Sequence, residues 1–100
     1  MGAYVERHVD GTTQVSRRPG MIEADAGGEL VGLNVERGTC YGFNATATRV
    51  WQLLEHPRTV DALVEVLLAE HEVDEAECRA DLHDLLRSLE DEQLVDLTPA

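Results

Sequence analysis

Aromatic residues are scarce in this 100-residue chain, and its only Phe, its only Trp and one of its two Tyr fall within one stretch, Gly38 to Leu54. Basic residues are also few: eight Lys and Arg against twenty Asp and Glu leave a net charge of −12. A surface this acidic repels phosphate backbones and anionic lipid, which excludes nucleic acid and a membrane surface as partners. The two cysteines, Cys40 and Cys78, lie far apart and form no Cys-x-x-Cys pair, so neither a disulfide scaffold nor a zinc knuckle is expected. A long hydrophobic run is missing as well, and the N-terminus "MGAYVERHVDGTTQV" is polar and mixed in charge, unlike a secretory signal. A cytoplasmic protein is expected. Met1-Gly2 opens as a myristoylation site does, but Glu6 occupies the position that needs Ser or Thr.

What is present is 43% hydrophobic residues, enough for one globular domain with a modest core and too short a chain for a second. Residues 1–19 are irregular in pattern, end in "SRRPG" and hold Arg7, Arg17 and Arg18. They are expected to be an N-terminal arm, either flexible or paired as a short strand around Gln14 to Ser16. The domain proper is expected over residues 20–98. "MIEAD", a turn at "AGG", then "ELVGLNV" with alternating Val31, Leu33 and Val35, a turn at "ERG", and "TCYGF" read as a three-stranded antiparallel meander with one face buried.

At Asn44 the period changes from that of a strand to that of a helix, with Ala47, Val50, Trp51 and Leu54 on one face. Asn44 stands as the N-cap, and Pro57 ends this helix after about Glu55. Thr59 caps a second helix with an apolar stripe of Val60, Leu63, Val64, Leu67 and Leu68. Asp74 opens a third, striped by Cys78, Leu82, Leu85, Leu86 and Leu89, and the chain closes on "QLVDL". A three-stranded sheet followed by three helices is the order of an α+β domain with its helices on one face of the sheet.

Groups for catalysis are hard to assemble. His8, His56, His71 and His83 lie in unrelated settings, and "HEVDE" lacks the second His that a helical zinc site needs. Cys40 sits on a strand beside no sequence-local base. Asp81, His83 and Asp84 do not share one helix face, so they read as a solvated acidic surface. No catalytic residue, metal ligand or cofactor is expected. Three helices beside a small sheet suggest a winged helix-turn-helix, but the third helix carries eight acidic residues and two arginines between Asp74 and Glu92, a net −6 that does not enter a major groove. A protein-binding module remains. If "TCYGF" is the last strand of the meander, its free edge offers main-chain groups to an incoming peptide.

Three segments, "GELVGLNVERGTCYGFNATATRVWQLL", "RTVDALVEVLL" and "DLHDLLRSLEDEQLV", resemble the PqqD-type family of peptide-recognition domains over about Met21 to Leu97. The resemblance rests on Gly38, Tyr41, Phe43 and Asn44, the Val50-Trp51 pair, Thr59-Val60, and Asp81-Leu82 with Leu85, Leu86 and Leu89. It implies a winged helix-turn-helix-like fold and a non-catalytic role: binding the leader of a ribosomal precursor peptide as an added strand between the third strand and third helix. The implied peptide-binding residues are Thr39, Cys40, Tyr41, Gly42 and Phe43 on the strand and Arg79, Asp81, Leu82, Leu85 and Leu86 on the helix. The implied partners are the precursor leader peptide with a leader peptidase and a cyclase, as in lasso-peptide clusters; the alternative is a radical SAM enzyme of quinone-cofactor or other modified-peptide synthesis. An acidic winged-helix interaction or regulatory domain is a further alternative. Two departures stand out: Phe43 replaces a usual Leu, and Gln93 replaces a common Gly.

Overall fold

The computed structural model describes residues 9–99; Met1, Gly2, Glu6, Arg7 and His8, on which the acylation motif and part of the arm rest, lie outside them. The meander forms from β2 (Met21–Ala26), β3 (Glu29–Asn34) and β4 (Thr39–Gly42), in the order β2-β3-β4. Gly27 and Gly28 both hold positive φ, at 70° and 93°, and link Ala26 to its partner Glu29. A two-residue loop with two positive φ angles is the turn whose twist matches paired strands, and glycine enters it without a Cβ clash. Asp25 Oδ1 accepts from the Gly28 N–H at 2.7 Å.

Helix α1 (Ala45–Leu53) follows directly, capped by Asn44, whose Oδ1 accepts from the Ala47 N–H at 2.8 Å. Thr59 caps α2 (Val60–Glu70) through the Ala62 N–H, and Asp74 caps α3 (Glu75–Asp91) through the Glu77 N–H. All three caps stand at the residues expected from the sequence. The α+β class and the order of three meander strands before three helices also agree with it.

A second sheet was not legible. β1 (Gln14–Arg17) lies between β5 (Arg58–Thr59) and β6 (Val95–Thr98), antiparallel to both. Of the two alternatives for the arm, the structure contains the strand, and Val15 is wholly buried. The packed unit therefore starts upstream of residue 20. Arg17, on β1, donates from Nε to the Trp51 carbonyl at 3.1 Å, donates to the same oxygen from a second nitrogen, and stacks 4.6 Å from the centroid of the indole. A cation at the C-terminal end of α1 also meets the negative end of the helix dipole.

The face of the meander that the helices cover is not the one that carries the alternating Val31 and Leu33. Its helix-facing side carries Leu30, Gly32 and Asn34, while Val31 and Leu33 stand on the outer face. The Thr48 hydroxyl accepts from the Leu30 N–H at 3.0 Å, and the Met21 thioether covers Gly32 so closely that a Cβ there would sit 2.4 Å from its sulfur. Alternation shows that two faces differ; contacts decide which one is covered.

The main core lies where α1, α2 and α3 meet β1 and β6, with Val50, Trp51, Leu63 and Leu86 at its centre. Helix α3 ends in a left-handed turn: Gln93 has φ 61°, its N–H donates to Glu90 O, and the Leu94 N–H donates to Leu89 O. These are the paired bonds of a Schellman cap, whose turning position favours glycine. Gln93→Gly is expected to raise stability by about 1 kcal/mol, because a Cβ in the left-handed region costs about 1–2 kcal/mol and glycine returns part of that as entropy of the unfolded chain. Thermal unfolding checks it; a lower melting temperature would show that the glutamine side chain contributes more than its backbone costs.

Candidate functional site

Strand β4 has a neighbour on one side only, so among the described residues its other edge carries unpaired main-chain groups. Their identity follows from ladder phase. The Phe43 N–H donates to Leu30 O at 2.9 Å, and Tyr41 and Thr39 pair with Gly32 and Asn34 in the same register. In an antiparallel ladder the groups of alternate residues point the same way. Thr39, Tyr41 and Phe43 thus turn their main chain toward β3, and Cys40 and Gly42 turn theirs outward.

Beside this edge runs an open groove of about 170 Å³, lined by Tyr41, Gly42, Phe43 and Ala47 on one wall and by Leu85, Ser88, Leu89 and Glu92 of α3 with Leu94 on the other. Phe43 is 5% exposed and packs edge-on against Trp51, ring centroids 5.7 Å apart and planes at 72°. The scarce aromatics thus make the wall between groove and core. One end is tied down by Arg37, which donates to the Glu92 carbonyl at 2.8 Å and so joins the turn before β4 to the end of α3. Toward the start of α3 a second hollow of about 210 Å³ opens, lined by Thr46, Leu67, His71, Val73, Cys78, Asp81 and Leu82. From Cys78 to Glu92 the helix rises about 20 Å, the span of about six residues of extended chain. The Cys78 thiol is pushed up by burial and then by the Asp81 carboxylate, so it stays a neutral, apolar part of the wall. Among the described residues no group of three or more His, Cys, Asp or Glu side chains could hold a metal ion, and no helix is long and apolar enough to cross a membrane.

The arrangement suits an extended peptide: a strand edge gives hydrogen bonds, and the apolar floor receives every second side chain. Residues 29–95, which hold the meander's last two strands, all three helices and both hollows, match the family model of coenzyme PQQ synthesis protein D. The chain belongs to the PqqD family. A solved structure described as "TbiB1 in Complex with the TbiA(beta) Leader Peptide" is 31% identical to this PqqD-family protein, covers 81% of it and 94% of its own chain, and superposes with a TM-score of 0.75. No curated protein sequence matches it.

In this PqqD-family protein the residues expected at the site divide into three groups. Tyr41, Gly42, Phe43 and Leu85 line the groove beside β4, with Thr39 half-buried at its end. Asp81 and Leu82 line the second hollow. The rest point elsewhere. Cys40 offers its main chain to the edge, but its exposed side chain lies on the outer face opposite Leu33. Leu86 is fully buried in the core, out of reach of a peptide. Arg79 turns toward α2, held by Asp61 at 2.9 Å and Glu75 at 3.0 Å. Ala47, Ser88, Leu89, Glu92 and Leu94 were not expected at the groove; three of them continue the i+3 and i+4 steps from Leu85, the signal that marks them.

Proposed function

We propose that this protein binds the leader segment of a ribosomally made precursor peptide, which adds to β4 as a fourth strand and lays alternate apolar side chains into the groove against α3. The observation that carries the reading is the outward phase of the Cys40 and Gly42 main-chain groups above an apolar groove. The solved relative's complex with a leader peptide supports it. In this reading the protein does no chemistry itself and presents the precursor to a leader peptidase and a cyclase in the cytoplasm. The family's description as a cofactor-synthesis protein favours, as a second reading, presentation to a radical SAM enzyme.

Titrating the cognate leader into isotope-labelled protein while mapping the protein's amide chemical shifts tests the site. Shifts are expected at residues 39–43 and along α3 from Asp81 to Glu92. Shifts confined to α2 or β1, with β4 silent, would show that the groove is misassigned. Net charge of −12 adds a kinetic expectation: association with a basic leader slows as added salt shortens the Debye length below about 10 Å. Stopped-flow rates that ignore salt would mean that encounter is driven by apolar and main-chain contacts alone.

A further inference from the structure

The large hydrophobic side chains exposed among the described residues are Ile22, Val31, Leu33, Val35 and Val73, and four of these five belong to the meander's outer side. Register places Ile22, Leu33 and Cys40 in one row across the three strands, and Ala24, Val31 and Gly42 in the next. Neither row contains a charge. The carboxylates Glu23 and Asp25 alternate to the other side of β2, Glu29 stands at one end of the outer face, and Glu36 lies in the exposed turn at the other end, next to Val35.

Three strands spaced about 4.8 Å apart and about 17 Å long give the face about 250 Å². Stable interfaces bury about 800 Å² on each partner, so the face alone is too small for one. A second copy would also bring its own net −12 against the same charge. The face is continuous with the β4 edge, however. A leader strand added there sends one set of side chains into the groove and the alternate set outward, beside Cys40 and Gly42, where each extends one of the two uncharged rows.

We propose that the outer face of the meander, completed by the outward side chains of the bound leader, is the docking surface for the leader peptidase that acts on the precursor. That enzyme presents an apolar patch edged by arginine or lysine, matching the uncharged rows and the acidic ends at Glu29 and Glu36. The inference rests on the leader-binding reading. It makes the leader part of the enzyme's binding surface, so loaded and empty protein are told apart by contact area. Linkage then requires the enzyme to raise leader affinity by the same factor as the leader raises enzyme affinity.

The test uses the purified leader peptidase of the cognate precursor as probe, with leader affinity measured by anisotropy in its presence and absence. The variant Ile22→Thr/Val31→Thr/Leu33→Thr keeps β-branched or strand-compatible residues at exposed positions. Its leader affinity without peptidase is expected to stay within about twofold of the parent, while peptidase binding to the loaded complex falls by at least about tenfold and the reciprocal gain in leader affinity vanishes. Leu33→Lys is expected to do the same by setting an unpaired charge against the apolar patch. Equal peptidase binding by parent and variants, or by loaded and empty parent, overturns the proposal while leader binding itself stands. A parent dimer in sedimentation that the triple variant abolishes would assign the face to a second copy, and co-sedimentation of the parent with phosphatidylcholine vesicles would assign it to lipid; each overturns the proposal. Absence of leader binding by the parent removes the reading beneath it as well.

Discussion

Gly42→Pro is expected to weaken leader binding by about 5- to 150-fold while leaving the helices in place. The Gly42 N–H faces the open edge of β4, and proline removes it. A leader carbonyl then loses its donor inside the complex, at a cost of about 1–3 kcal/mol, which gives that range of affinity. The pyrrolidine ring also occupies the path of the incoming strand, so the loss is expected toward the upper end. Gly42→Ala is the control. A Cβ at this position meets nothing within 4 Å, and alanine keeps the N–H, so binding close to the parent is expected. Anisotropy with a labelled leader measures both, and circular dichroism checks the helices. Equal affinities for the proline and alanine variants would remove the main chain of β4 from recognition.

Trp51→Ala is expected to cost about 3–5 kcal/mol of stability, the range for truncating a large buried aromatic. Trp51 is 2% exposed, meets Phe43 edge-on and carries the Arg17 guanidinium on its face. A domain of this size has about 5–15 kcal/mol in all, so the variant stands close to unfolding. Because Trp51 is the only tryptophan, the comparison needs urea unfolding followed by circular dichroism rather than fluorescence. Trp51→Phe keeps a ring in the same space and is expected to lose less. A Trp51→Ala variant within about 1 kcal/mol of the parent would mean that the junction of sheet and helix collapses around the gap, and that the cavity cost usual for such truncations is absent.

What could be read from the sequence was local. Asn44, Thr59 and Asp74 announce their helices because a cap bonds to a backbone group three residues on. The Gly27-Gly28 turn announces its hairpin because two adjacent glycines accept the positive φ angles such a turn needs. β1 and β6 pair across almost the whole chain, with Gln14 opposite Thr98, and two residues of β5 complete the sheet. No short-range pattern encodes such a pairing. Leu86 was placed at the groove and Leu89 left out because a leucine stripe on α3 shows which side is apolar, while the division of that side between core and groove depends on how the helix is rolled against its neighbours. The alternation of Val31 and Leu33 shows that β3 has two unlike faces, but not that the face of their neighbours Leu30 and Gly32 is the covered one.

The pairing of β1 with β6 has an architectural consequence. Antiparallel partners sit about 5 Å apart, so β1 and β6, the first and last strands of the described residues, run side by side with Gln14 against Thr98 and share one small opening. That opening belongs to the β5-β1-β6 sheet, whereas the groove edge belongs to the other one. A unit whose entry and exit coincide can be spliced into a surface loop of a larger protein, or joined to one at either end, without stretching its fold. The open edge of β4, in the other sheet, is left as it is by such a joining.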